Sequence, residues 1–243
     1  MLLRFLGTGA SGGTPGRGRS RRMESSLLVT AGDTTLLVDV TRDFARQATA
    51  LDSLTGVLLT HAHRDASGGL AQLRRWWAAR PRPPVPVLAS GRTIDALRAR
   101  FARLDHCRFV AVEPGRRERI GCASARPVLV PHAREARHPT FAWRVEGDGV
   151  LVYASDVAAL TSDLEHACAG ASALVIDGAM WGRRLFSHLT IDAELTRLCA
   201  WPARRILLTQ IGRTAPPHER LEREVARLCP RARPAYDGLR VAV

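Results

Sequence analysis

The strongest constraint on this chain is a short apolar run that ends in two histidines. Val57-Leu58-Leu59 reads as a buried strand, and Thr60-His61-Ala62-His63-Arg64-Asp65 follows it at once. Gly68-Gly69 and a helical stretch come next. Histidines at i and i+2 with an acid at i+4, leaving a strand end in a turn, bring imidazole and carboxylate to one point, as a metal ion requires. A stray His-x-His is common. Its position between a buried strand and a glycine-led helix is what gives it weight.

The rest of the chain reads as alternating α and β elements. Leu2–Leu6 is a strand, and Ser26–Thr30 and Thr34–Val38 flank Ala31-Gly32-Asp33 as a hairpin. Ser11 to Arg22, rich in Gly, Ser and Arg, reads as a flexible surface loop. Asp43–Ala50 has helical character, and Leu70–Ala79 is a helix that Pro81-Arg82-Pro83-Pro84 stops. Strands at Val85–Leu88, Phe109–Val112 and Val128–Val130 surround a helix near Thr93–Leu104. A second hairpin joins Phe141–Val145 to Val150–Tyr153 through Gly147-Asp148-Gly149. After it, helices at Ser162–Cys168, Ile191–Cys199 and Pro217–Leu228 interleave with strands at Ala173–Ile176, Arg205–Leu208 and Leu239–Val243. No repeat or linker interrupts this, so residues 1–243 are read as one α/β domain.

Composition narrows the function classes. The chain is 46% hydrophobic and 24% charged, which is globular rather than disordered. No apolar run approaches the roughly 20 residues of a membrane span, and the N-terminus lacks a signal-peptide core. Five scattered cysteines, none as Cys-x-x-Cys, argue against a disulfide framework and point to the cytoplasm. The net charge of +13 favours an anionic substrate, but every basic residue is an arginine and aromatics are only 5%. That bias spreads charge over a solvated surface and leaves little for base stacking, so nucleic acid is not the favoured partner. A homodimer stays open.

Several segments together resemble the metallo-β-lactamase superfamily, whose signature is His-x-His-x-Asp-His. Phe5-Leu6-Gly7-Thr8-Gly9-Ala10 resembles the opening of its phosphodiesterase and tRNA-processing branches. Leu37-Val38-Asp39 resembles the strand ending in a supporting acid, Val130-Pro131-His132 the third-histidine motif with Thr140-Phe141-Ala142-Trp143 after it, and Val152-Tyr153-Ala154-Ser155-Asp156 the strand of the shared aspartate. Leu207-Leu208-Thr209-Gln210-Ile211-Gly212-Arg213 resembles the last motif, ordinarily Leu-Thr-His-Ile-x-His. Tyr236-Asp237-Gly238-Leu239 is similar to the ending of the cyclic phosphodiesterase that accompanies carbon–phosphorus lyase, in which a histidine at the place of His188 serves as acid or base.

The resemblance implies a four-layer αβ/βα sandwich and a first metal held by His61, His63, His132 and Asp156. The last histidine of the signature is Ala66 here, and the last-motif histidine is Gln210. Both losses are ligands private to the second metal, of whose set Asp65 and Asp156 remain, so one retained divalent metal of the zinc, manganese or iron kind is the expectation. The function expected is metal-dependent hydrolysis of a phosphodiester, a nucleotide or cyclic ribose phosphate; the alternative is a metal- or nucleotide-binding protein that has lost catalysis. A tRNA 3′-processing nuclease fits less well, because no extended Gly/Pro-rich insertion follows Phe141.

His188, Asp65 and Arg213 are the catalytic candidates. His188 is equally readable as a helix-start surface residue, and Asp65 as a helix cap or salt-bridge partner. Arg64 and Arg213 both read as bystanders in this arginine-rich chain, but Arg213, three residues past Gln210, is the arginine expected to answer Asp65 or to point into the cleft. His138 reads as a loop histidine, while His106, His166 and His218 default to the surface. Gly7 and Gly9 could approach a phosphate, although turn-making is the commoner reason for them.

Overall fold

The computed structural model describes residues 1–79, 83–133 and 139–243. Part of the proline segment and His138 lie outside them. The chain runs β1 (Leu2–Gly7), β2 (Ser26–Ala31), β3 (Thr34–Val38), α1 (Phe44–Gln47), β4 (Gly56–Leu58), α2 (Arg64–Ser67) and α3 (Leu70–Ala78). It continues β5 (Val85–Ala89), α4 (Gly91–Arg100), β6 (Cys107–Ala111), β7 (Glu118–Ile120), β8 (Ala123–Val130), β9 (Thr140–Glu146) and β10 (Val150–Ala154). Then follow α5 (Ser162–Ala167), β11 (Ala173–Asp177), α6 (Ile191–Leu198), β12 (Ile206–Thr209), α7 (His218–Leu228), β13 (Ala232–Pro234) and β14 (Arg240–Ala242).

The strands form two seven-stranded sheets, ordered β14-β1-β2-β3-β4-β5-β6 and β13-β12-β11-β10-β9-β8-β7. Side-chain alternation along each strand decides what packs where. Leu3, Phe5, Leu36, Val38, Trp143 and Tyr153 belong to a core between the sheets. Leu37, Val57 and Leu59 turn the other way and pack with Phe44, Leu73 and Leu97 of the first helical layer. Val152, Leu174 and Ile176 likewise meet Leu164, Leu195 and Leu221 of the second. Three apolar layers between four structural ones give the α/β sandwich expected from the sequence.

Both expected hairpins form, with β2 antiparallel to β3 and β9 antiparallel to β10. The edge strands β7 and β13 are additions to the sequence reading; each has three residues and carries arginine or proline. A second difference is the segment Ser11–Arg22. Thr14 and Arg22 exchange backbone hydrogen bonds of 2.9 Å in both directions, and Gly12 N–H donates to the Glu24 carboxylate at 2.9 Å. The loop is therefore pinned to the body, since buried backbone and charged groups need partners that irregular chain alone does not supply. His106 and His218 are buried, not at the surface, whereas His166 is exposed. Among the described residues, no helix is long and apolar enough to cross a membrane.

Candidate metal centre

Asp39, His61, His132, Asp156, Asp177 and Gln210 all lie at, or within three residues past, the C-terminal ends of β3, β4, β8, β10, β11 and β12. One rim of the sandwich therefore collects them, the usual place for a site in an open sheet. Three residues besides glycine hold positive φ among the described residues, and each sits here: Asp39 at 63°, Ala133 at 51° and Gln210 at 55°. Left-handed backbone costs on the order of 1–3 kcal/mol per residue and persists where surrounding contacts dictate it. Here those contacts include Ser25 Oγ, which accepts the Gln210 N–H at 2.8 Å.

The donor atoms converge. His61 Nε2 is 2.9 Å from His63 Nδ1, His132 Nε2 is 3.4 Å from the same atom, and His132 Nε2 is 3.9 Å from Asp156 Oδ1. Ligands at bonds of about 2.0 Å in a tetrahedron stand about 3.3 Å apart, so these separations bracket a metal shell. The tautomers agree. Thr60 N–H and Oγ1–H both donate to Asp39, leaving Oγ1 to accept from His61 Nδ1 at 2.9 Å and freeing Nε2. His132 Nδ1 donates to the Ser187 carbonyl at 2.7 Å, which frees its Nε2 in the same way. Partners of this kind fix the ring that a cation needs.

Burial and charge act in opposite directions on these groups. Burial holds His61 down at about 3, and so neutral, while it pushes the Asp39 carboxyl well above its ordinary range. Burial also opposes ionisation of Asp156, but His61, His132 and His188 outweigh it and bring that carboxyl to about 2. The donor set is three imidazoles with one carboxylate, which suits zinc, manganese or iron.

His188 approaches from the segment between β11 and α6. Its ring centroid is 5.0 Å from that of His132, and its Nδ1 donates to Asp177 Oδ2 at 2.7 Å. Burial lowers its proton affinity, but the Asp177 charge and hydrogen bond raise it further, to about 9. Asp177 is fully buried and was not among the candidates. Its signal in the sequence is an acid closing an apolar strand, Leu174-Val175-Ile176-Asp177, the pattern also shown by Asp39.

The second half of the rim is different. Gln210 Nε2 donates to Asp156 Oδ1 at 2.9 Å and lies 3.5 Å from Asp65 Oδ2. Asp65 stands in the first turn of α2, with His63 at the cap position, so it is not the cap. Burial and the neighbouring Asp156 raise it to about 6. Nor does Asp65 make an ion pair with Arg213. Arg213 is exposed and lines another cavity, because the left-handed turn at Gln210 carries the following residues away. The cation whose charge Asp65 feels is Arg42, itself bound to Glu24.

Two sheets with a histidine-rich rim define an α/β sandwich whose candidate metal site lies at one edge. Residues 34–211 match the model of the β-lactamase superfamily domain, and the chain belongs to the metallo-β-lactamase superfamily. It is 25% identical to an octanoyltransferase of Porphyromonas gingivalis over 98% of its own length and 51% of that protein, so it spans about half of that relative. Among solved structures it resembles a diphosphatase from the PhnP family, with a TM-score of 0.88 and 23% identity over 100% of this chain and 97% of that one. Zinc-bound PqqB from Methylobacterium extorquens gives 0.79 and 22% over 100% of each chain. Human tRNase Z, short form, gives 0.71 and 17% over 100% and 99%. At these identities the structural likeness is one of fold.

Proposed function

We propose that this chain is a metal-dependent hydrolase of phosphodiesters, with one divalent transition metal held by His61, His63, His132 and Asp156. The observation that carries the reading is the half-buried His188, paired with the buried Asp177 and standing against the His132 ring. A carboxylate behind an imidazole also supports metal ligands; here it backs a histidine outside the four proposed ligands, which favours a proton-moving role. Bound among these donors, a divalent cation polarises a phosphoryl oxygen and lowers the pKa of a bound water. Asp39 through Thr60, and the Ser187 carbonyl, keep His61 and His132 turned toward the site. His188 offers the proton on its free Nε2 to the departing alkoxide, a contribution of about 10²–10⁴-fold. Asp177 holds the Nδ1 proton, and with it the tautomer and ring direction that this transfer requires.

Hydrolysis of bis-nitrophenyl phosphate by the zinc- or manganese-loaded protein tests the reading. Turnover is expected, with His188→Gln lowering kcat by about 10²-fold or more while metal content is kept. A metal-loaded protein without turnover on phosphodiesters would leave the second reading, a binding protein of the same fold. The Gln210 amide favours that second reading, because it stands between two carboxylates that otherwise clamp a second cation.

A further inference from the structure

The helices of the second layer end in thiols. Cys168, Cys199 and Cys229 each follow the last turn of α5, α6 and α7 respectively. Topology brings two of them together. β12 and β13 run parallel and side by side, with Ile206 opposite Ala232. α6 is the crossover that feeds β12 and α7 the one that feeds β13, so both helices finish at the same end of the layer. That end lies where these strands begin, opposite the rim that collects the metal-centre residues at their C-terminal ends.

Arg231 fixes the two helix ends to each other. Its Nη2 donates to the Trp201 carbonyl at 2.8 Å and to the Cys199 carbonyl, and its Nη1 donates to the Ala203 carbonyl. The Ile206 N–H donates back to the Arg231 carbonyl at 3.0 Å, and the Ala232 N–H to the Cys229 carbonyl at 2.9 Å. The side chains follow the backbone. Cys229 is fully buried in the core of this layer, and the half-buried Cys199 packs against that core. Burial, and then a hydrogen bond with the Cys199 thiol, raise the Cys229 thiol above its ordinary value.

We propose that Cys199 and Cys229 form a reversible disulfide when the protein meets a peroxide, stapling α6 to α7. Cys199 is the partner open to the oxidant. Its thiolate attacks one peroxide oxygen, the O–O bond breaks, and a sulfenic acid and hydroxide result. The Cys229 sulfur then attacks the Cys199 sulfur; the S–S bond forms as the S–O bond breaks, and the departing hydroxide leaves as water with the Cys229 proton. Two thiols are oxidised to one disulfide, and one hydrogen peroxide is reduced to two waters. The remaining cysteines stand elsewhere. Burial pushes the Cys168 and Cys107 thiols up to about 12, which keeps them protonated and unreactive, and Cys122 is exposed in the turn between β7 and β8.

Mass mapping of the full chain tests the pair. After brief hydrogen peroxide treatment, the remaining thiols are blocked with iodoacetamide under denaturing conditions. Trypsin then releases Leu198–Arg204 and Leu228–Arg231, each with one cysteine. These peptides are expected to appear joined, lighter than their sum by the two thiol hydrogens, and to separate in dithiothreitol. Cys199→Ser should abolish the joined species, Cys229→Ser should leave a Cys199 sulfenic acid that dimedone traps, and Cys168→Ser should change neither result. The cross-linked protein should melt about 5 °C or more above the reduced one, a gain absent from Cys199→Ser. Separately alkylated peptides after peroxide, oxidation confined to the exposed Cys122, or a melting temperature unmoved by cross-linking would overturn the staple.

Discussion

The two halves of the rim share Asp156 and differ in almost everything else. On the first side, imidazole lone pairs from His61, His63 and His132 converge within 2.9–3.4 Å, with Thr60 and the Ser187 carbonyl holding two of the rings from behind. On the second, Asp65 and Asp156 already have a donor between them in the Gln210 amide, and Ala66 supplies no ligand at all. Crowded lone pairs are satisfied by a cation. Buried carboxylates are satisfied by any good hydrogen-bond donor. On the proposed reading one half of the rim holds a metal, and the Gln210 amide takes the place of a second one.

Removing a ligand from the first half should have the largest effect. His132→Ala is expected to lower metal affinity by more than about 100-fold, beyond the 10–100-fold typical of supporting groups, in competition with a chromogenic chelator. Retained affinity would mean that His188, whose ring nitrogen also clusters with a ring nitrogen of His132 and a carboxylate oxygen of Asp156, takes its place. A smaller effect should come from behind the ligands. Asp39→Asn disturbs only Thr60 and through it His61, so a loss of about 10–100-fold in affinity is expected in the same assay. No change would show that His61 needs no orienting partner and would weaken the contrast between the halves.

The smallest effect belongs to the second half. Gln210→Ala strips the donor from Asp65 and Asp156, and a loss of about 1–3 kcal/mol is expected in urea denaturation of the metal-loaded protein. Unchanged stability would mean that the amide was not satisfying that pair. Replacing the amide by ligands sharpens the same point: Ala66→His with Gln210→His should take up a second equivalent of metal. Ala66 is 3% exposed, so its neighbours must yield for the new ring.

Much of this was legible in the sequence wherever one local segment carries both the scaffold and the chemistry. Val57–His63 and Val152–Asp156 each join a buried strand to a candidate ligand, so chain order alone places them. That Ala66 and Gln210 stand where the family signature carries histidines was legible too. What Gln210 does in exchange was not, because its partner Asp65 is 145 residues away and the contact depends on the turn at φ 55°. That same turn separates Arg213 from Asp65, which nearness in sequence had suggested joining. Asp177 meets His188 across a segment of irregular chain with no motif spacing. Arg22 and His218, 196 residues apart, show no pattern at all until the loop is folded onto α7.

Metal content is the most direct test of the contrast. Elemental analysis of the unmodified protein, purified with excess zinc or manganese and then desalted, should give close to one metal per chain. Loss of that metal in His132→Ala would place it in the first half of the rim. Two metals per chain in the unmodified protein would contradict the account, since the Gln210 amide would then have failed to close the second half.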